Sequence, residues 1–133
     1  KTAYEISTRD WSSDVVLFRS VIISMGFGGD IQKIKKIFQN NKKYFLYCIS
    51  KYPTSINEIN FNTMLKMDGF SDHTEGSLAP LIYAIKSNRL KTKFLEKHVS
   101  VKASKGPDKP FSMNMSHFAK MIRDIRMIES MKV

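Results

Sequence analysis

The sequence predicts a mainly α, single compact domain of six or seven helices, with room for a small β-hairpin near residues 99–110. Three observations carry that expectation. Apolar residues recur at steps of three or four, most clearly at Phe118, Met121, Ile122, Ile125, Ile128 and Met131. Short oxygen-bearing side chains stand where helices need N-caps: Asp30, and Ser55 with Glu58 three residues on. A chain of 133 residues, 42% hydrophobic and 11% aromatic, buries enough apolar surface to fold without a metal or disulfide staple.

The elements follow in order. Residues 1–12 read as an N-terminal arm and 13–133 as the helical domain, cut from a larger protein since Lys1 is no initiator. Ser13 or Asp14 caps a first helix in which Val15, Phe18, Ile22 and Met25 keep helical spacing, and "GFGG" stops it. Asp30 caps a second, striped by Ile31, Ile34, Ile37 and Phe38. A third, near 42–52, carries "YFLYCI" and ends before Pro53. Ser55 opens a fourth, with Ile56, Ile59, Met64 and Met67 inward and Asp68-Gly69 closing it. "FSDHTEG" reads as a loop. Residues 78–87 form a helix with Pro80 in its first turn, where a missing N–H is harmless. A short helix through Leu90, Phe94 and Leu95 follows Asn88. "HVSVK" alternates as a short strand does, "ASKGPDKP" is turn-rich, and the last helix starts at Ser116.

Charge is unevenly distributed. The net charge is +10. Residues 30–51 hold six Lys against Asp30, and residues 86–109 hold eight basic residues against Glu96 and Asp108. The segment between them is acidic. Such blocks cannot enter a core cheaply, so they face water or a ligand, and a shared face would attract a polyphosphate chain. Tyr44, Phe45 and Tyr47 beside Lys42 and Lys43 offer rings on which bases stack, although a core role suits them better. The predicted function is therefore a non-enzymatic basic domain that binds nucleic acid through phosphates, RNA slightly ahead of DNA. A viral nucleocapsid, matrix or polymerase-associated protein fits that description. The predicted phosphate contacts are Lys33, Lys35, Lys36, Lys42, Lys43, Lys86, Arg89, Lys91, Lys93, Lys97, Lys102 and Lys105, with Arg123 and Arg126 secondary.

"GSLAPLIYAIKSNRLKTKFLEK" resembles one ankyrin repeat through Gly76, Pro80, Leu81, Ala84 and Leu90, and "GGDIQKIKKIF" is similar to its second helix. The resemblance implies a protein–protein module, the alternative function; docking within a viral complex is a variant of it. A peripheral binder of anionic membranes is the third reading.

Chemistry finds little support in the sequence. His73, His98 and His117 lie far apart and outside any metal-ligand motif, so no metal and no cofactor are expected. Asp72, His73 and Glu75 in "SDHTEG" could hold a cation or an acid–base pair, but such loops are usually solvated turns. Cys48, in an apolar run, reads as a buried small hydrophobe. "GFGGD" before a helix lacks the residues of a phosphate loop. No catalytic residue and no small-molecule substrate are expected. One cysteine and the lack of a membrane span or leader suit an intracellular setting: cytoplasm, nucleus or virion.

Overall fold

A computed structural model describes residues 20–88, 90, 93–103 and 105–131. The expected N-terminal arm and the start of the first helix lie outside them. The chain is not mainly α. Four parallel strands, β1 (Ser20–Ser24), β2 (Lys42–Cys48), β3 (Gly69–Asp72) and β4 (Phe94–Lys97), lie side by side in chain order. The sheet curls like half of a barrel. Helix α1 (Ile31–Ile37) joins β1 to β2, and α2 (Phe61–Met64), preceded by a 3-10 turn at Ile56–Glu58, joins β2 to β3. Helix α3 (Leu78–Ser87) joins β3 to β4.

Beyond β4, β5 (Val99–Ser100) and β6 (Met113–Asn114) pair in parallel, and α4 (Met115–Ser130) packs against α3. The expected hairpin is thus a parallel pair, bridged by the long loop 101–112. The helices read near 31–38, 78–87 and 116–131 are present. Those read through Ile22, over 42–52 and through Phe94 contain β1, β2 and β4 instead. Buried parallel strands are near-continuous apolar runs, which periodicity alone does not separate from buried helices. The ankyrin-like stretch is one helix followed by a strand, not a helix pair.

Register sorts the side chains into layers. Tyr47, Phe70 and Leu95 stand level on the outer face, where Ile59, Met64, Ala79 and Tyr83 bury them. On the inner face Leu46, Gly69 and Phe94 are level. A Cβ on Gly69 would lie 2.5 Å from the Phe94 carbonyl oxygen and 2.6 Å from Leu46 Cδ2, so only glycine fits between them. The next inner layer is Cys48, Ser71 and Glu96. Polar residues thus replace apolar ones on the inner face as the strands approach their carboxyl ends.

Candidate functional site

The inner-face polar residues meet in a cleft of about 490 Å³ at the carboxyl ends of the strands, lined in part by Ser24, Cys48, Tyr52, Ser71, His73, Glu96 and His98. In open parallel sheets and barrels, this is the end where loops gather functional groups. Two tripeptides build most of it. Ser71-Asp72-His73 ends β3 and Glu96-Lys97-His98 ends β4. In each, the strand's period of two sends the outer residues into the cleft and the middle one behind the sheet.

The middle residues meet. Lys97 Nζ lies 2.7 Å from Asp72 Oδ2, with both side chains almost fully buried. Asp72 also accepts from the Thr74 N–H at 2.9 Å and the Thr74 hydroxyl at 3.2 Å, and Lys97 donates to the Thr74 carbonyl. Both Asp72 oxygens and the Lys97 ammonium thus have hydrogen-bond partners, as a buried ion pair requires.

The inward residues are equally constrained. Ser71 Oγ donates to Glu96 Oε2 at 2.6 Å. His73 Nδ1 lies 2.7 Å from the Ile49 carbonyl oxygen. A carbonyl only accepts, so Nδ1 carries the proton and Nε2 presents its lone pair to the cleft. Burial pulls His73 below its ordinary pKa of 6.5, with the Ile49 hydrogen bond pulling the other way. Neutral imidazole is therefore its form at neutral pH.

Tyr52 stacks on His73 with ring centroids 3.8 Å apart and sits 5.9 Å from Phe111, which the loop 101–112 folds back toward it. The Tyr52 hydroxyl lies 2.6 Å from His73 Nε2 and 3.2 Å from His98 Nε2. Burial pushes this phenol up to about 12, so it stays protonated. Burial likewise pushes the Cys48 thiol up. Asp108 Oδ2 is 3.9 Å from His98 Nδ1.

One atom each from His73, Glu96 and His98 lies within 4.8 Å of the others. Two imidazoles and a carboxylate form a donor set that suits first-row divalent cations. The lone pair on His73 Nε2, oriented by the Ile49 carbonyl behind the ring, fits a metal ligand with its usual outer hydrogen bond.

None of the predicted phosphate contacts among the described residues lines this cleft. Lys35 and Lys36 close the last turn of α1, and Lys42 and Lys43 open β2. Lys86 is in the last turn of α3, and Lys93 precedes β4. These six lie toward the amino ends of the strands, opposite the cleft, where cations at helix C-termini offset the helix dipole. Lys93 lies 3.7 Å from Glu129. Lys33 is exposed on α1, Lys102 and Lys105 are exposed in the loop after β5, and Arg123 and Arg126 are exposed on α4, Arg126 paired with Glu129. Lys97 is locked behind the sheet. Arg89 and Lys91 lie outside the described residues.

Sequence reasoning weighed His73 with Asp72 and Glu75 as a cation or acid–base site and set it aside, dismissed His98 as a metal ligand, and gave Glu96 no role. The missed signal was the pair of tripeptides themselves: polar, charged, His, spaced 25 residues apart with opposite charges at the centre. That spacing is the Ser71↔Glu96 register of a strand–helix–strand unit.

Comparison with known proteins gives the site its context. The chain is 34% identical over 126 residues to the uncharacterized protein MJ1065 of Methanocaldococcus jannaschii, covering 85% of this chain and 36% of that one. It is 30% identical over 125 residues to the pseudaminic acid synthase of Campylobacter jejuni, covering 84% and 35%. The crystal structure of the spore coat polysaccharide biosynthesis protein SpsE of Bacillus subtilis superposes with a TM-score of 0.66 at 26% identity, over 90% of this chain and 36% of that one. The chain therefore spans about a third of the length of these relatives.

These matches overturn the expected nucleic-acid-binding, viral and non-enzymatic character, and with it the protein-module and membrane-binder alternatives. They point to sugar biosynthesis, so the expectation of no small-molecule substrate falls too. No helix among the described residues is long and apolar enough to cross a membrane. Residues 15–132 match the NeuB family, and the chain belongs to it.

Proposed function

We propose that this chain supplies part of the active site of a synthase that makes an acidic sugar of the pseudaminic type. The observation that carries this reading is the convergence of His73, Glu96 and His98 at the carboxyl ends of two adjacent strands, in a chain similar to a pseudaminic acid synthase.

A sugar synthase must activate a substrate oxygen and hold a polar, hydroxyl-rich ligand. His73, Glu96 and His98 would hold a divalent cation, which supplies Lewis acidity to a bound oxygen. Ser71 fixes the Glu96 carboxylate through a 2.6 Å hydrogen bond. The Ile49 carbonyl fixes the His73 ring, and Tyr52 covers it. The buried Lys97–Asp72 pair fixes the spacing of the two strand ends. The same reading places the reaction inside the cell, where Cys48 stays reduced.

Binding of pseudaminic acid to the purified protein, followed calorimetrically with and without added Co²⁺, tests the reading. Binding that needs the cation and is lost in both His73→Ala and His98→Ala is expected. A wild-type protein that binds neither the cation nor the sugar acid would end it.

A further inference from the structure

The half-barrel has two open edges. Among the described residues, β1 pairs with β2 alone and β4 with β3 alone. Every pairing in this sheet is parallel. Parallel sheets need both faces covered, and a free edge invites another strand. The inner face is half of a barrel interior. Ile22 stands level with Tyr44, and Tyr44 meets Phe94 edge to face at 4.6 Å. In a closed barrel of eight strands such side chains are packed into layers, yet Ile22 is 56% exposed.

The two edges complement each other. Beside β4, a groove of about 420 Å³ is lined by Leu95 and by Phe118, Met121, Ile122 and Ile125 of α4. On β1 the inner positions are Ile22 and Ser24, level with Tyr44 and Leu46. The strand's period of two therefore puts Val21 and Ile23 on the outer side, the side of Leu95. A β1 strand laid along the free edge of β4 carries these two β-branched side chains to the groove. A two-fold axis along the barrel keeps all strands parallel and makes that pairing twice, so no edge is left.

We propose that two copies of this chain close their half-barrels into one eight-stranded parallel barrel. Closure also completes the cleft, because the partner subunit's Ser24 and the partner subunit's Phe27, at the carboxyl end of its β1, arrive beside Glu96 and His98. Phe27 is 96% exposed in a single copy. The inference goes beyond the proposed function and does not depend on a bound cation.

Sedimentation equilibrium of the purified protein tests it, with twice the mass of one chain expected. Ile122→Glu puts a charge in the groove at a position only partly buried, and it should halve that mass while leaving the far-UV spectrum unchanged. A wild-type protein that sediments as one chain, or as assemblies larger than two, overturns the closed barrel. A folded Ile122→Glu variant that stays dimeric places the contact on another face and overturns it too. If the variant does not fold, amide hydrogen exchange of the wild type decides. Protection of the β1 and β4 backbone N–H groups that rises with protein concentration supports the barrel. Protection that ignores concentration overturns it.

Discussion

Lys97 and Asp72 form an ion pair of 2.7 Å behind the sheet, their side chains 3% and 0% exposed. They are directly opposed on β4 and β3. Removing one partner leaves the other charged and buried, which costs about 3–5 kcal/mol. Lys97→Met should therefore lose about that much stability in urea unfolding at neutral pH. Adding Asp72→Asn to it removes the stranded charge while keeping an acceptor for the Thr74 N–H, so the double variant should recover more than half of the loss. A single variant within about 1 kcal/mol of wild type would show a solvated pair instead.

The capping box at the 3-10 turn gives a pH prediction. Lys51 Nζ donates to Glu58 at 2.8 Å and the Ser55 N–H donates at 2.9 Å. The Lys51 hydrogen bond first, and the Ser55 N–H second, hold the Glu58 carboxyl below its ordinary 4.5. The unfolded chain therefore takes up this proton first on acidification. The contribution to stability is present above 4.5 and is lost as pH falls through the folded value. A carboxyl ¹³C titration should place the Glu58 midpoint below 4.5. Lys51→Ala should raise the midpoint without returning it fully, because the Ser55 N–H remains. A midpoint unmoved by Lys51→Ala would assign the shift to the backbone alone.

What was legible in the sequence follows from where each element gets its stability. Helices α1 and α4 are amphipathic, with Ile31 and Ile34 or Phe118 and Met121 on one side and charge on the other, so period reveals both, with the Asp30 cap as a second sign at α1. Strands β2 and β3 are covered on both faces. Phe45, Leu46 and Phe70 are all buried, and a run without a polar face carries no period to read. The site was hidden for a related reason. His73 and His98 are 25 residues apart, and only the β3–β4 register brings them together. The lysines misled because Lys35, Lys36, Lys42, Lys43, Lys86 and Lys93 cluster where helices end and strands start, at the end of the sheet away from the cleft.

The hydrogen bond from Ser71 Oγ to Glu96 Oε2, at 2.6 Å, sets the final prediction. Ser71 is 3% exposed and sits level with Glu96 between β3 and β4, and its hydroxyl also lies 3.5 Å from His73 Nε2. It fixes one carboxylate oxygen, while the other lies 3.8 Å from His98 Nε2 on the side of the metal cradle. Outer hydrogen bonds of this kind are worth about tenfold or more in metal affinity. Ser71→Ala should therefore weaken Co²⁺ binding by roughly tenfold while leaving the far-UV spectrum unchanged. Ser71→Thr keeps the hydroxyl and should restore most of the affinity. If Ser71→Ala binds Co²⁺ as wild type does, Glu96 is not held for coordination. The carboxylate would then be free to act as a base toward substrate, and the cradle would reduce to the two histidines.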